Sequence, residues 1–365
     1  MRPYPYDSIV VNGKLISIHS ILTGAAGASS DFEQTTFKFI SDWLSGGQSF
    51  VQNTSGSTGY PKPIVITRDQ MIASATLSID ALGLRQGYNA LLCINPEYIG
   101  GKMMLVRSFL AGMKIIAATP SSNPFNTLPD NTPVDFAAMV PYQIHEIIRS
   151  ANAGKLNDVK KIIIGGAVLD RLTEAKLQGY RCVFYSTFGM TETISHIALR
   201  QLNGPEASGN YRTLPGIKIS TDERSCLQIE WDQLEEKIIT NDIVEIVDTD
   251  AFRWIGRWDN VINTGGVKVI PEKLEELIDQ IFNALGVRNA FFVGSVTDEA
   301  LGNKVTLFIE GSLETETIEK IKRKMAHVMP KMEVPRDVKF IRSFVLTENG
   351  KINRQVTIKP YTDSM

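Results

Sequence analysis

A chain of 365 residues with 43% hydrophobic and 21% charged side chains has enough apolar surface for a large core and for more than one domain. Its formal net charge of -2 gives no global pull toward nucleic acid or an anionic membrane. Cys93, Cys182 and Cys226 are odd in number and widely spaced, and the four histidines lack metal-ligand spacing, which disfavours a disulfide framework or a zinc-type centre.

Taken along the chain, residues 8–18 read as a hairpin turning at Asn12-Gly13, a dipeptide that tolerates the left-handed backbone of a two-residue loop. Helices are predicted at 31–44 and 69–82, the second capped by Asp69, with strands at 49–51 and 64–67 between them. Apolar runs at 90–94, 114–118 and 161–164 have the composition of strands buried in a parallel sheet, and helical segments at 103–111 and 142–151 separate them. Residues 119–133, rich in Pro, Ser and Asn, read as a surface excursion. From 227 the texture turns to β, with runs at 227–231, 236–240, 244–247 and 252–255 that would close a small sheet or barrel. Beyond 259 come a Gly-rich turn, helices at 271–282 and 316–328, and strands at 291–293, 305–309 and 338–341. The expected architecture is α/β: a large N-terminal α/β domain with buried sheets and a small β subdomain over 1–258, and a small C-terminal α+β domain over 259–365. No apolar run approaches the roughly 20 residues of a membrane span, and the N-terminus lacks a basic region followed by an apolar one, so the expectation is a cytoplasmic protein.

Three separated stretches carry chemistry. In the first, Thr54, Ser55, Gly56, Ser57, Thr58 and Gly59 precede Lys62, so small residues expose backbone N–H groups while hydroxyls and an ammonium add donors suited to a polyphosphate. The P-loop pattern G-x-x-x-x-G-K-[ST] fails here, because Pro61 stands where its second glycine belongs. A solvated linker shares this composition, but strands on both sides pin the ends and favour a site. The others are Phe188-Gly189-Met190-Thr191-Glu192 and a C-terminal stretch, 349–354, that holds Lys351.

In that order, and with Gly165-Gly166-Ala167, Asp242 and Gly256-Arg257-Trp258-Asp259 between them, these blocks resemble the adenylate-forming superfamily of acyl-CoA synthetases, adenylation domains and luciferases. Within it, 139–143 and 188–197 are most similar to the o-succinylbenzoate-CoA ligases of menaquinone synthesis. The resemblance implies an enzyme that uses ATP and Mg²⁺ to convert a carboxylic acid to an acyl-adenylate and then passes the acyl group to coenzyme A. It implies that Thr54 to Gly59 and Lys62 hold the β- and γ-phosphates, that Thr191 meets the α-phosphate and that Glu192 is the metal ligand. Gly165, Gly166, Ala167, Phe188, Gly189 and Met190 would form the adenine side, Asp242 and Arg257 would take the ribose, and Lys351 would stabilise the charge of adenylate formation. A mobile C-terminal domain hinged at Asp259 would bring Gly265, Gly266 and Lys268 toward coenzyme A in the second step.

For the acid pocket, Tyr98, Gly100, Gln143, Ser186 and Thr187 are the expected lining. Lys102 or Arg107 could meet a second carboxylate such as that of a succinyl chain, although solvated side chains are the favoured reading of both. The chain is shorter than most relatives ahead of the phosphate loop, which would leave a pocket wall thinner or supplied by a partner subunit and makes homo-oligomerisation a property to test. The expected partner is a small-molecule carboxylic acid, with no nucleic acid and no membrane. A carrier-protein thiol in place of free coenzyme A, and a non-catalytic nucleotide-binding regulator, are the alternatives.

Overall fold

The computed structural model describes residues 4–53, 62–345 and 352–362. Thr54, Ser55, Gly56, Ser57, Thr58 and Gly59 of the expected phosphate loop, and Lys351, lie outside the described residues. The chain divides into two compact units: residues 1–219, 229–238 and 247–252 form the first, and 220–228, 239–246 and 253–365 the second.

The first unit begins with β1 (Ser8–Val11), β2 (Lys14–Ser17), α1 (Ile18–Leu22), α2 (Asp31–Leu44), β3 (Ser49–Asn53), β4 (Pro63–Thr67), α3 (Arg68–Leu82), β5 (Asn89–Leu92) and α4 (Ile99–Ala111). It continues with β6 (Lys114–Ala117), β7 (Phe136–Met139), α5 (Pro141–Arg149), β8 (Lys161–Ile164), α6 (Arg171–Leu177), β9 (Val183–Gly189), β10 (His196–Gln201) and β11 (Tyr211–Thr213). Its sheet runs in the order β11-β10-β9-β8-β7-β5-β6-β1-β2. The contacts from β9 through β8, β7, β5 and β6 to β1 are all parallel, whereas β1 with β2, β9 with β10 and β10 with β11 are antiparallel. Two cores flank the sheet. One gathers Trp43, Met71, Leu82, Met103, Leu105 and Phe136, and the other Leu91, Ala137, Ile144, Ile147, Ile162 and Phe184. Alternate residues of β5, β7 and β8 feed opposite cores, which is why these strands are apolar throughout rather than alternating.

Local chemistry accounts for the boundaries. Asn12 and Gly13 both have positive φ, as the β1–β2 turn requires. Ser30 caps α2 by accepting from the Glu33 N–H. The cap of α3 is Thr67 rather than the expected Asp69: the Thr67 hydroxyl accepts from Gln70 N–H and the Gln70 side chain accepts from Thr67 N–H, a reciprocal pair that Asp69 cannot form from inside the first turn.

Further along are β12 (Lys218–Thr221), β13 (Cys226–Glu230), β14 (Ile238–Asp248) and β15 (Ala251–Arg257). The two runs expected at 236–240 and 244–247 are one strand, β14, because Asn241 and Asp242 interrupt the apolar pattern without turning the chain. The rest of the second unit has the hairpin β16 (Ile262–Thr264) and β17 (Val267–Val269), then α7 (Pro271–Leu285), β18 (Phe291–Asp298), β19 (Gly302–Glu310), α8 (Thr315–Val328), β20 (Asp337–Ile341) and α9 (Arg354–Thr362). β18 and β19 pair antiparallel and β19 and β20 parallel, over a core of Ile278, Phe282, Val293, Leu307, Ile321 and Met325.

Candidate active site

β5, β7, β8 and β9 are parallel, so the segments that follow them leave the sheet on one side, the carboxyl-end side where open α/β sheets bind ligands. Those segments carry Tyr98 and Gly100 after β5, Gln143 after β7, Gly165, Gly166 and Ala167 after β8, and Met190, Thr191 and Glu192 after β9. The sheet therefore gathers most of the expected adenine and acid-pocket residues. Lys62 sits directly before β4, at the described edge of the phosphate stretch.

The residues expected on the adenine side are held from behind. Thr187 Oγ1 donates to Ile164 O at 3.1 Å, and Gly165 N–H donates to Met139 O at 3.1 Å, which locks the turn after β8 to its neighbours. Phe188 is half-buried and meets Phe252 and Tyr211 edge-on, with centroids 5.0 and 5.7 Å away. Tyr211 in turn stacks on Phe252 and shares a 2.7 Å hydrogen bond with Ser186. Ser186 is buried, and that bond engages its hydroxyl, so in this structure it supports the aromatic group rather than presenting an open contact.

The loop from β9 to β10 is a strained, self-braced turn. A side chain at Gly189 would put Cβ 2.4 Å from Ser195 O and 2.5 Å from His196 Cα, so only glycine allows the chain to double back there. Thr193 is fully buried, and its hydroxyl accepts from Met190 N–H at 2.9 Å and donates to Ser195 O at 2.7 Å. Ile194 holds φ at +67°, a conformation rarely adopted by a β-branched residue and kept here by burial of its side chain. The product of this bracing is a fixed presentation of Thr191, mostly buried, beside Glu192, which is exposed. Among the described residues, no hydrogen bond or ion pair engages the Glu192 carboxylate, and no three His, Cys, Asp or Glu residues cluster as a metal cage. A single accessible carboxylate fits Mg²⁺, which is held by one or two carboxylates plus phosphate oxygens and waters.

The residues expected to line the acid pocket divide. Tyr98 is half-exposed, and Gly100 packs near Ile94 in the first turn of α4. Gln143 is buried with its amide committed to backbone: its oxygen accepts from Val140 N–H, and its nitrogen donates to Cys93 O and Ser121 O. It is a scaffold residue here, not an open lining contact. The expectation of solvated basic side chains fails for both cations of α4. Lys102 donates to Val51 O at 3.0 Å and Gln52 Oε1 at 2.8 Å, tying α4 to β3 just ahead of the phosphate stretch. Arg107 is 1% exposed, with Nη2 donating to Ser195 Oγ at 2.7 Å and to His196 Nδ1 at 3.4 Å. Its Nε is buried with no partner, and among the described residues no carboxylate pairs with it. Burial lowers the guanidinium to about 10, so it stays charged at neutral pH.

In the second unit, Asp242 is 8% exposed and accepts from Trp254 Nε1 at 2.9 Å and Arg257 Nη1 at 3.5 Å, leaving acceptor capacity for two more hydroxyl donors. Arg257 also donates to Asp259 Oδ2 at 2.5 Å, and Asp259 Oδ1 accepts from Asn241 at 3.0 Å. Burial pulls the Arg257 guanidinium down, but Asp242 and Asp259 outweigh it and hold the group above its ordinary value. Gly265 and Gly266, both at positive φ, make the two-residue turn of the β16–β17 hairpin, and the Lys268 ammonium lies 4.7 Å from the Trp258 ring centroid. Arg354, three residues past Lys351, is fixed by paired bonds to Glu275 on α7 and by Val293 O. The sequence reading missed Thr193, His196, Tyr211, Trp254 and Glu275. Thr193 and His196 lay inside a quoted motif, while the others become visible only through contacts distant in sequence.

Comparison with known proteins places this geometry in context. A family model described as AMP-binding enzyme matches residues 39–223. A curated 2-succinylbenzoate-CoA ligase of Lactococcus lactis is 22% identical over 84% of this chain and 69% of its own length. A probable 2-succinylbenzoate-CoA ligase of Mycobacterium tuberculosis is 25% identical over 86% of this chain and 84% of its own. The solved structure of an acyl-CoA synthetase (AMP-forming)/AMP-acid ligase II-like protein from Dyadobacter fermentans is 38% identical, covers 93% of this chain and 97% of that one, and superposes with a TM-score of 0.62.

Proposed function

The chain belongs to the AMP-binding enzyme family as an AMP-forming acyl-CoA ligase, and we propose that its acid is an aromatic dicarboxylate, o-succinylbenzoate. The observation that carries this is Arg107. A buried guanidinium without a carboxylate partner is an unanswered charge, and an anion arriving with the substrate answers it. Its bond to Ser195 joins it to the loop that presents Thr191 and Glu192, so the same turn would register both the phosphate and the distant carboxylate. The curated relatives named for 2-succinylbenzoate support the same assignment.

In the proposed first step, a carboxylate oxygen of the acid attacks the α-phosphorus of ATP and pyrophosphate leaves. Thr54, Ser55, Ser57, Thr58, Lys62 and neighbouring N–H groups hold the β- and γ-phosphates, Thr191 meets the α-phosphate, and Lys351 stabilises the charge that builds between the reacting groups. Glu192 would hold Mg²⁺, which would supply neutralisation of phosphate charge. Asp242 accepts from the ribose hydroxyls and Phe188 lends its ring to the adenine. In the second step the coenzyme A thiol attacks the acyl carbon, AMP leaves, and a thioester forms, with Gly265, Gly266 and Lys268 serving the acceptor.

The test is ATP–pyrophosphate exchange with o-succinylbenzoate, its two monomethyl esters and benzoate, followed by product analysis with free coenzyme A. Exchange that needs both carboxylates and ends in a thioester supports the proposal. Equal exchange with benzoate removes the dicarboxylate, and an adenylate that free coenzyme A cannot discharge points to a carrier-protein thiol.

A further inference from the structure

We propose that His196 is the positioning residue for Arg107: a neutral imidazole, seated on Ser78, that fixes the guanidinium without cancelling its charge. This rests on the reading that Arg107 receives a second substrate carboxylate.

The proton positions follow from which atoms can only donate. Every nitrogen of arginine is a donor, so at the Arg107 Nη2 contact His196 Nδ1 must be the acceptor. Its proton is then on Nε2, which faces Ser78 Oγ at 3.0 Å. Ser78 can accept there because its own proton goes back along α3 to Ser74 O at 3.0 Å. The chain runs Arg107 to His196 to Ser78 to Ser74 with one proton in each link. All four residues are buried. Burial, with the charge of Arg107 beside it, keeps the imidazole well below its ordinary proton affinity, so the ring stays neutral.

The choice of a neutral partner matters. A carboxylate at this position would hold Arg107 equally well but would form a closed ion pair with no net charge left for a ligand. An imidazole and the Ser195 hydroxyl supply direction only, and Nε remains without a partner. His196 can do this because it opens β10 opposite Gly189, where the missing side chain lets the backbones approach and points the ring into the interior beside α3 and α4.

The test has two arms. In wild-type protein labelled with ¹⁵N-histidine, whose four histidine signals are assigned against His196→Phe, the expected His196 ring is protonated on Nε2 alone and unchanged between pH 8 and 6. A ring that titrates in that range, or carries its proton on Nδ1, overturns the proposal. In the second arm, exchange kinetics are measured for Arg107→Met, His196→Phe and His196→Gln. His196→Phe should raise KM for the diacid about tenfold or more, without a matching fall in kcat and without moving KM for ATP. Glutamine, which can both accept and donate, should recover most of that loss. His196→Asp, by pairing with Arg107, should lose the preference for the diacid over its monoesters. If Arg107→Met is impaired with the diacid and His196→Phe is not, the positioning role is wrong. If Arg107→Met itself is unaffected, the second-carboxylate reading fails, and this inference with it.

Discussion

Replacing Arg107 with methionine separates a binding residue from a structural one. The guanidinium is 1% exposed and burial lowers it to about 10, roughly two to three pH units below its ordinary value. At about 1.4 kcal/mol per pH unit, that corresponds to a penalty of about 3 kcal/mol on the charged form. Opposing it are the bonds to Ser195 Oγ at 2.7 Å and His196 Nδ1 at 3.4 Å. Hydrogen bonds to charged groups contribute about 1.5 to 3 kcal/mol each, and the longer one belongs at the low end. The two contributions nearly cancel. Arg107→Met, unbranched and apolar in an apolar helix, should therefore keep the ligand-free stability within about 1 kcal/mol of wild type in urea denaturation. Removing one partner from a buried ion pair costs about 3 to 5 kcal/mol instead. Diacid binding should weaken at least about thirtyfold, as loss of a desolvated charge pair predicts. The monoester that keeps only the activated carboxylate should react as it does with wild type. A stability loss above about 3 kcal/mol, with equal loss of exchange for diacid and monoester, would refute the reasoning.

Lys351→Ala should cut adenylate formation by about two orders of magnitude or more while ATP binding by calorimetry stays nearly intact, and undiminished pyrophosphate exchange removes Lys351 from the mechanism. Gly189→Ala places Cβ within 2.5 Å of backbone atoms of Ser195 and His196, so the turn must move. About 1 to 3 kcal/mol of stability should be lost together with adenylation, and an unchanged melting temperature counts against the close approach. For His196, the folded-state proton affinity lies well below the ordinary value of 6.5, because of burial first and Arg107 second. The unfolded chain binds a proton below about pH 6.5 that the native chain refuses, so stability present above that pH falls as pH drops toward the depressed value, by up to about 1.4 kcal/mol per unit. His196→Gln should flatten that slope in denaturation series between pH 6.5 and 5, and parallel slopes would mean that the imidazole is not held neutral.

Much of the architecture was legible because its signals were local. The Asn12-Gly13 turn, the span of α2 and β8 follow from residue type and period alone. The apolar runs at 236–240 and 244–247 do not show that β14 is continuous, because the polar pair Asn241-Asp242 lies between them and only the burial of Asp242 against Trp254 makes it a feature within the strand. Asp69 has the chemistry of a cap, but Thr67 has Gln70 three positions on and so forms the reciprocal pair that caps the helix. The site residues sort the same way. Phe188 to Glu192 were found as a motif, while their support from Tyr211, Phe252 and Arg107 depends on the order of strands in the sheet.

For Arg107 the signal lies in the sequence on either side of it. Long basic side chains on a surface helix reach water along their own stems, which is the basis for expecting solvation of the two cations of α4. α4 is not a surface helix. Met103, Met104, Leu105, Val106, Arg107, Ser108 and Phe109 are all buried, a consecutive run that covers every face of the helix and leaves no outward side for the guanidinium. That run was readable as apolar sequence on both sides of Arg107, with no alternation to suggest a solvent face. A helix buried all round has no stem path to water, so a charge retained within it must be met inside the protein or by what the protein binds. Among the described residues only neutral groups meet it. Lys102, five positions earlier near the start of the same helix, is only partly buried and already spent on β3. Of the two cations of α4, Arg107 is therefore the one left for the second carboxylate of the proposed substrate.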